Sequence, residues 1–283
     1  MTAGTSPLPG VQGKPQASSP AAHAGTDYQL SVPQDARQAL ARGWLWLGVA
    51  ALIGSGLFSV LLVVSRTPYV NQWLPAANFF HISLVLHVDL SVLVWFVAMG
   101  GLLWSLHGSQ RAQGAGWVAL WITAAGTLAM ALAPFLAPGE PIMANYIPVL
   151  ESPLFLVGLV VFGVGTAVLV LRSLWAAPRL GLQYDGRGAL DFGLSSAAVA
   201  TAVALLCFAW SWAVLPTTLH GKAYYEILFW GGGHALQFTW TLMMLVAWLW
   251  LASACGAHLV LSPRVTVLMF LLAVVLFKLF PGE

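Results

Sequence analysis

The sequence predicts an all-α fold, a polytopic membrane helix bundle of about seven transmembrane helices with a cytoplasmic N-terminus. Three observations carry this expectation. Charged residues make up only 7% of the 283 and hydrophobic ones 59%, whereas a soluble domain carries about 25% charged residues. Too few charges remain to cover a water-facing surface. Apolar runs of spanning length recur, each near the ~20 residues that a bilayer core requires. Lysine and arginine gather in alternate connections, as the positive-inside rule demands.

In chain order, residues 1–40 come first ("MTAGTSPLPGVQGKPQASSPAAHAG…"), rich in Pro, Gly, Ala, Ser and Gln. Such a composition cannot offset the entropy of ordering, which predicts a disordered cytoplasmic tail holding His23. The basic start and short apolar core of a secretory signal are missing. Residues 41–283 form the transmembrane domain, with spans expected over 43–65, 79–105, 115–137, 149–172, 192–214, 226–254 and 262–280. Lys14, Arg37, Arg42, Arg111, Arg172, Arg179, Arg187 and Arg264 fall on one side; Arg66, Lys222 and Lys278 fall on the other. The first side is read as cytoplasmic, which puts Glu283 outside. The apolar runs imply membrane lipid as surroundings, and a net charge of +2 is too small to suggest a nucleic-acid partner. Cys207 and Cys255 have neither CxxC nor CxxCH spacing, so they are read as small buried apolar residues.

Ionisable residues inside a span are costly and mark function by default. Here they are His87, Asp89 and His234. Glu151, Glu226 and His107 stand at helix ends where water reaches them, His81 and His220 lie near outer ends, and His258 lies in a short inner loop. The second and sixth spans run in the same direction. His87 and His234 each lie about eight residues into their span, about 12 Å deep at 1.5 Å per residue. Two imidazoles at one level suit metal or haem iron, for which neutral imidazole is a standard ligand. Gly231, Gly232 and Gly233 just before His234 open the backbone to a neighbouring helix or a flat macrocycle. On helical spacing His234 shares a stripe with Phe238, Thr241 and Leu245, and His87 with Ser91, Val94 and Ala98. Asp89 points away from His87, and pairing with a neighbouring helix is expected of it before a proton path.

Two stretches carry a family resemblance. "HISLVLHVDLSVLVW" (81–95) resembles the second helix, and "ILFWGGGHALQF" (227–238) the sixth, of the catalytic subunit of the haem–copper oxidase superfamily. The resemblance covers roughly residues 40–283. It implies that His87 is an axial ligand of a low-spin haem. It implies that His234 is a catalytic-site ligand of the copper beside a high-spin haem, where dioxygen is reduced to water. It also implies a bacterial cytoplasmic (inner) membrane location, and an electron-donor subunit or cytochrome c as partner. Where many family members have a tyrosine four residues after the metal histidine, or an acid two after it, this chain has Phe238 and Leu236, and no tyrosine follows Tyr225. The family fold has twelve helices. The remaining C-terminal helices, with the other ligands, would have to complete both sites, and the chain alone is expected to be inactive. A nitric oxide reductase-like subunit and a truncated non-catalytic haem-binding membrane protein are the alternative readings.

Overall fold

A computed structural model describes Met1 and residues 27–69, 71–74, 78–178, 185–257 and 259–279. It is an all-α membrane bundle: α1 (Ala36–Ser65), α2 (Phe79–His107), α3 (Gln113–Leu136), α4 (Pro153–Ala176), α5 (Gly186–Val214), α6 (Gly221–Ala254) and α7 (Pro263–Leu279). The first six are long and apolar enough to cross a membrane, and α7 adds 17 residues. Between α3 and α4 a short antiparallel hairpin pairs β1 (Glu140–Ile142) with β2 (Val149–Glu151), Glu140 opposite Glu151. The helices overrun several of the apolar runs. Hydropathy marks the stretch in lipid, while backbone hydrogen bonding continues into the interface. Thus α6 starts at Gly221, not 226, and α1 starts behind the N-cap Asp35, whose carboxylate accepts from the Arg37 N–H at 2.9 Å.

Bilayer hydrocarbon gives helices no hydrophobic reason to associate, so close backbone approach has to hold them. Between α3 and α4, a Cβ on Gly126 would lie 2.6 Å from Gly158 O and press on the Phe162 backbone. At the basic end of α2, Arg37 donates to Gly108 O at 2.7 Å, and Arg172 donates weakly to Trp104 O (3.4 Å) and Ser109 O (3.5 Å). Cations there satisfy free carbonyls and oppose the negative end of the helix dipole. Arg172 is therefore buried in the bundle, at 2% exposure, and not a loop cation. His107 also departs from expectation. Its side chain is sealed from water, and Nδ1 meets the Asp191 carboxylate of α5 at 2.9 Å. His81 and His220 are exposed as expected, whereas Cys207 is half-buried and Cys255 exposed.

Part of the stretch expected as a disordered tail over 1–40 is ordered. Residues 2–26, with His23, lie outside the described residues, as does His258, but 27–40 belong to the fold. Tyr28 is fully buried. Its phenol donates to Leu261 O at 2.9 Å and meets Thr266 Oγ1 at 2.6 Å, while its N–H donates to Ser253 Oγ at 2.9 Å. This strap ties the basic ends of α6 and α7, and the Asp27 carbonyl rests where a side chain on Gly186 would stand. One aromatic residue in a polar stretch gives no periodicity, which is why the sequence pattern missed it. Tyr28→Phe is expected to lower stability by about 1–2 kcal/mol, read as a shift in thermal unfolding. Burial raises the Tyr28 phenol above its ordinary value of 10.0, partly offset by Thr266. A raised folded value means that the tie is complete below the ordinary value and is lost as pH climbs through the raised one. The wild type should therefore lose its advantage over Y28F only in strong alkali.

Candidate cofactor site between α2 and α6

His87 sits where α2 changes its winding. Residues Asp89–Val94 form a π-helical turn in which the Trp95 N–H bonds Leu90 O, five residues back. Such turns often mark functional sites. The His87 carbonyl accepts hydroxyl bonds from Ser91 (2.6 Å) and Ser55 of α1 (2.9 Å). The ring is fixed by the same serine, because Nδ1 lies 3.0 Å from both Ser55 O and Ser55 Oγ. With its hydroxyl hydrogen turned to His87 O, Ser55 can only accept at Nδ1, so Nδ1 carries the hydrogen and Nε2 keeps its lone pair. That nitrogen has no hydrogen-bond partner among the described residues, and the side chain is half-buried. The π turn also corrects the expected stripe. Ser91 stays beside His87, but the extra residue rotates Val94 and Ala98 into the core, where both are fully buried.

Asp89 does not find the partner expected of it. It is 1% exposed, and its Oδ2 has no hydrogen-bond partner among the described residues.

The helices α2 and α6 meet below the two histidines. Phe96 stacks on Trp240 with centroids 5.0 Å apart, and the Met243 sulfur lies 3.3 Å from where Gly100 would carry a Cβ. Both contacts advance in the same direction along the two helices, which therefore run parallel. His87 lies nine residues before Phe96 and His234 six before Trp240, which puts them within about one 5.4 Å turn in depth. Counting from helix starts would separate them further, because α6 begins earlier than its apolar run.

His234 is engaged at both nitrogens. Nδ1 donates to Trp230 O at 2.8 Å, and Nε2 accepts from the Tyr146 phenol at 2.9 Å. Tyr146 stands in the loop joining β1 to β2. Burial first, then the Glu226 carboxylate, raise its phenol above the ordinary range, which keeps it a donor at neutral pH. The loop is tied a second time, by Asn145 Nδ2 to Glu226 Oε2 at 2.9 Å. The three glycines now have named neighbours. Phe208 of α5 lies across Gly232 and the Tyr146 ring across Gly233, each where a Cβ would clash, while Gly231 faces Cys207 at 3.8 Å. Protein side chains, and not a macrocycle, occupy the space that the last two glycines open. The outer face of α6 carries Trp230, Gln237 and Thr241, all exposed. Polar groups on an open face at span depth call for cover by more protein or a cofactor.

Comparison with known proteins adds bacterial kinship but no activity. The chain is 28% identical over 240 residues to an uncharacterized protein of Rickettsia prowazekii (strain Madrid E), covering 74% of this chain and 46% of that protein. It is 26% identical over 206 residues to an uncharacterized protein of Aquifex aeolicus (strain VF5), covering 73% and 52%. The chain spans about half the length of the curated relatives it matches. No family model and no solved structure matches it.

The two sites differ in what they could hold. A histidine whose Nδ1–H is fixed by a backbone carbonyl and whose Nε2 is unused is oriented as metal-binding histidines are, one nitrogen held and the other presented. His87 thus fits an axial ligand of haem iron. The copper expected at His234 does not fit this chain by itself. Both imidazole nitrogens are engaged, and no group of three or more His, Cys, Asp or Glu able to hold a metal occurs among the described residues. Sequence reasoning missed Ser55 and Tyr146. A serine between two glycines in the middle of α1 ("GSG", 54–56) was the available signal for the first. Tyr146 had none, since its partner lies 88 positions away.

Proposed function

We propose that the chain is the N-terminal portion of the catalytic subunit of a haem–copper-type respiratory terminal oxidase in a bacterial cytoplasmic membrane. The carrying observation is His87: pinned through Nδ1 to Ser55, open at Nε2, and at nearly the depth of His234 on a parallel helix. When bound, low-spin haem supplies one-electron transfer towards a high-spin haem–copper centre at which dioxygen is reduced to water. The part of this chain is to present and orient the iron ligand. Ser55 fixes the ring and its tautomer, and Ser91 and Ser55 both donate to the His87 carbonyl just before the π turn. The Phe96–Trp240 stack closes the bundle beneath. The remaining C-terminal helices would cover the open faces of α2 and α6 and bring the missing ligands. The curated relatives extend over about twice the matched length, which leaves room for further helices of this kind. The donor would be a partner subunit or cytochrome c.

A non-catalytic haem-binding membrane protein is the second reading, favoured by the internal satisfaction of His234. Purification through a tag on this chain, from its native membrane, separates the readings. Haem with copper and oxygen consumption is the expected result. Haem with non-haem iron and nitric oxide consumption makes it a nitric oxide reductase relative. Haem without turnover leaves the non-catalytic protein, and absence of haem removes all three readings.

A further inference from the structure

We propose that Tyr146 is a removable cap on His234, so that the hairpin loop between α3 and α4 controls whether the histidine can take a ligand. The inference rests on the reading of His234 as a ligand-bearing residue and goes beyond it by naming the residue that governs access. With Nδ1 donating to Trp230 O, the only lone pair left on the ring is at Nε2, and the Tyr146 phenol takes it at 2.9 Å. Any transition-metal cation bound by this imidazole in its present orientation must first displace that phenol. The cap is built into the fold. Its ring lies on the bare backbone of Gly233, 4.8 Å between ring centroids from His234, and the adjacent Asn145 anchors the loop to Glu226. It is also removable. Tyr146 belongs to a loop flanked by two three-residue strands, and the Asn145 tie is exposed. Ala144 and Ile147 on either side stay buried in the core, so the cap comes off by a swing of the Tyr146 side chain and the exposed Asn145 tie, which unwinds no spanning helix. His87, whose Nε2 is unused, serves as the built-in comparison.

Diethyl pyrocarbonate, a small reagent that acylates an imidazole nitrogen through its lone pair, tests this on the whole chain in lipid nanodiscs. Peptide mass spectrometry gives the rate at each histidine. In the wild type His234 should react more slowly than His87. Tyr146→Phe, which keeps the ring on Gly233 but removes the hydroxyl, should accelerate His234 by about five- to tenfold, the equivalent of one net hydrogen bond, with His87 unchanged. Asn145→Ala, which loosens the loop but keeps the phenol, should give a smaller rise. Equal His234 rates in the wild type and Y146F would overturn the proposal. Bound copper in the native complex, compared with a His234→Ala control, tests the ligand reading separately. Copper unchanged in H234A removes the ligand role, while the reagent rates still decide whether Tyr146 masks the ring.

Discussion

Alanine at His87 is expected to abolish haem binding by this chain, the largest single effect that the site should show. No other imidazole among the described residues combines an oriented ring with an unused nitrogen at span depth. His107 is held by Asp191 with its own Nε2 unpartnered, but it ends α2 and does not lie at span depth; His234 is tied to Tyr146 and Trp230, and His81 and His220 stand at exposed ends. Haem titration into nanodiscs, followed by optical absorption, reads the loss directly. Ser55→Ala should leave a ligand that is present but loosely held, weakening affinity by about tenfold, in the range seen when a second-shell partner of a metal ligand is removed. His234→Ala should leave haem on His87 unchanged. Equal binding by H87A and the wild type would remove His87 from the site.

The second large effect lies far from any cofactor. Gly126→Ala is expected to destabilise the bundle by about 3 kcal/mol or more, at or beyond the upper end of ordinary overpacking. The new methyl would fall on backbone atoms of Gly158 and Phe162, which cannot turn aside as a side chain can. Either α3 and α4 separate along their length or the chain does not reach its folded state. Gly56→Ala is the matched control, since a Cβ there meets nothing within 4 Å and alanine favours the helix. Thermal unfolding in detergent should drop sharply for G126A and stay level or rise for G56A. Similar behaviour of the two would mean that the α3–α4 approach does not limit stability.

Much of this architecture was legible in the sequence, because a bilayer imposes a length on every apolar run and a cost on every charge within one. Spans, their order and the histidines worth attention follow from those two constraints. Helix ends did not follow, since at Gly221 and Asp35 backbone hydrogen bonding and capping, not hydropathy, decide where winding starts. The π turn at Asp89 was invisible because no local pattern encodes it, and the hydroxyls on the adjacent His87 carbonyl include a serine 32 positions earlier on another helix. The glycines before His234 announced a close approach. Which group approaches depended on a loop tyrosine whose docking no local pattern encodes. His107 shows the opposite error: position at a span end suggested water, but an acid on α5 makes burial tolerable.

The most direct measurement is electron–nuclear double resonance on the ferric haem of the protein, purified from its native membrane with nitrogen-15 histidine. A low-spin ferric signal with coupling from an axial imidazole nitrogen is expected, lost in H87A and retained in H234A. A low-spin signal without that coupling, or one unchanged in H87A, would contradict the assignment of His87.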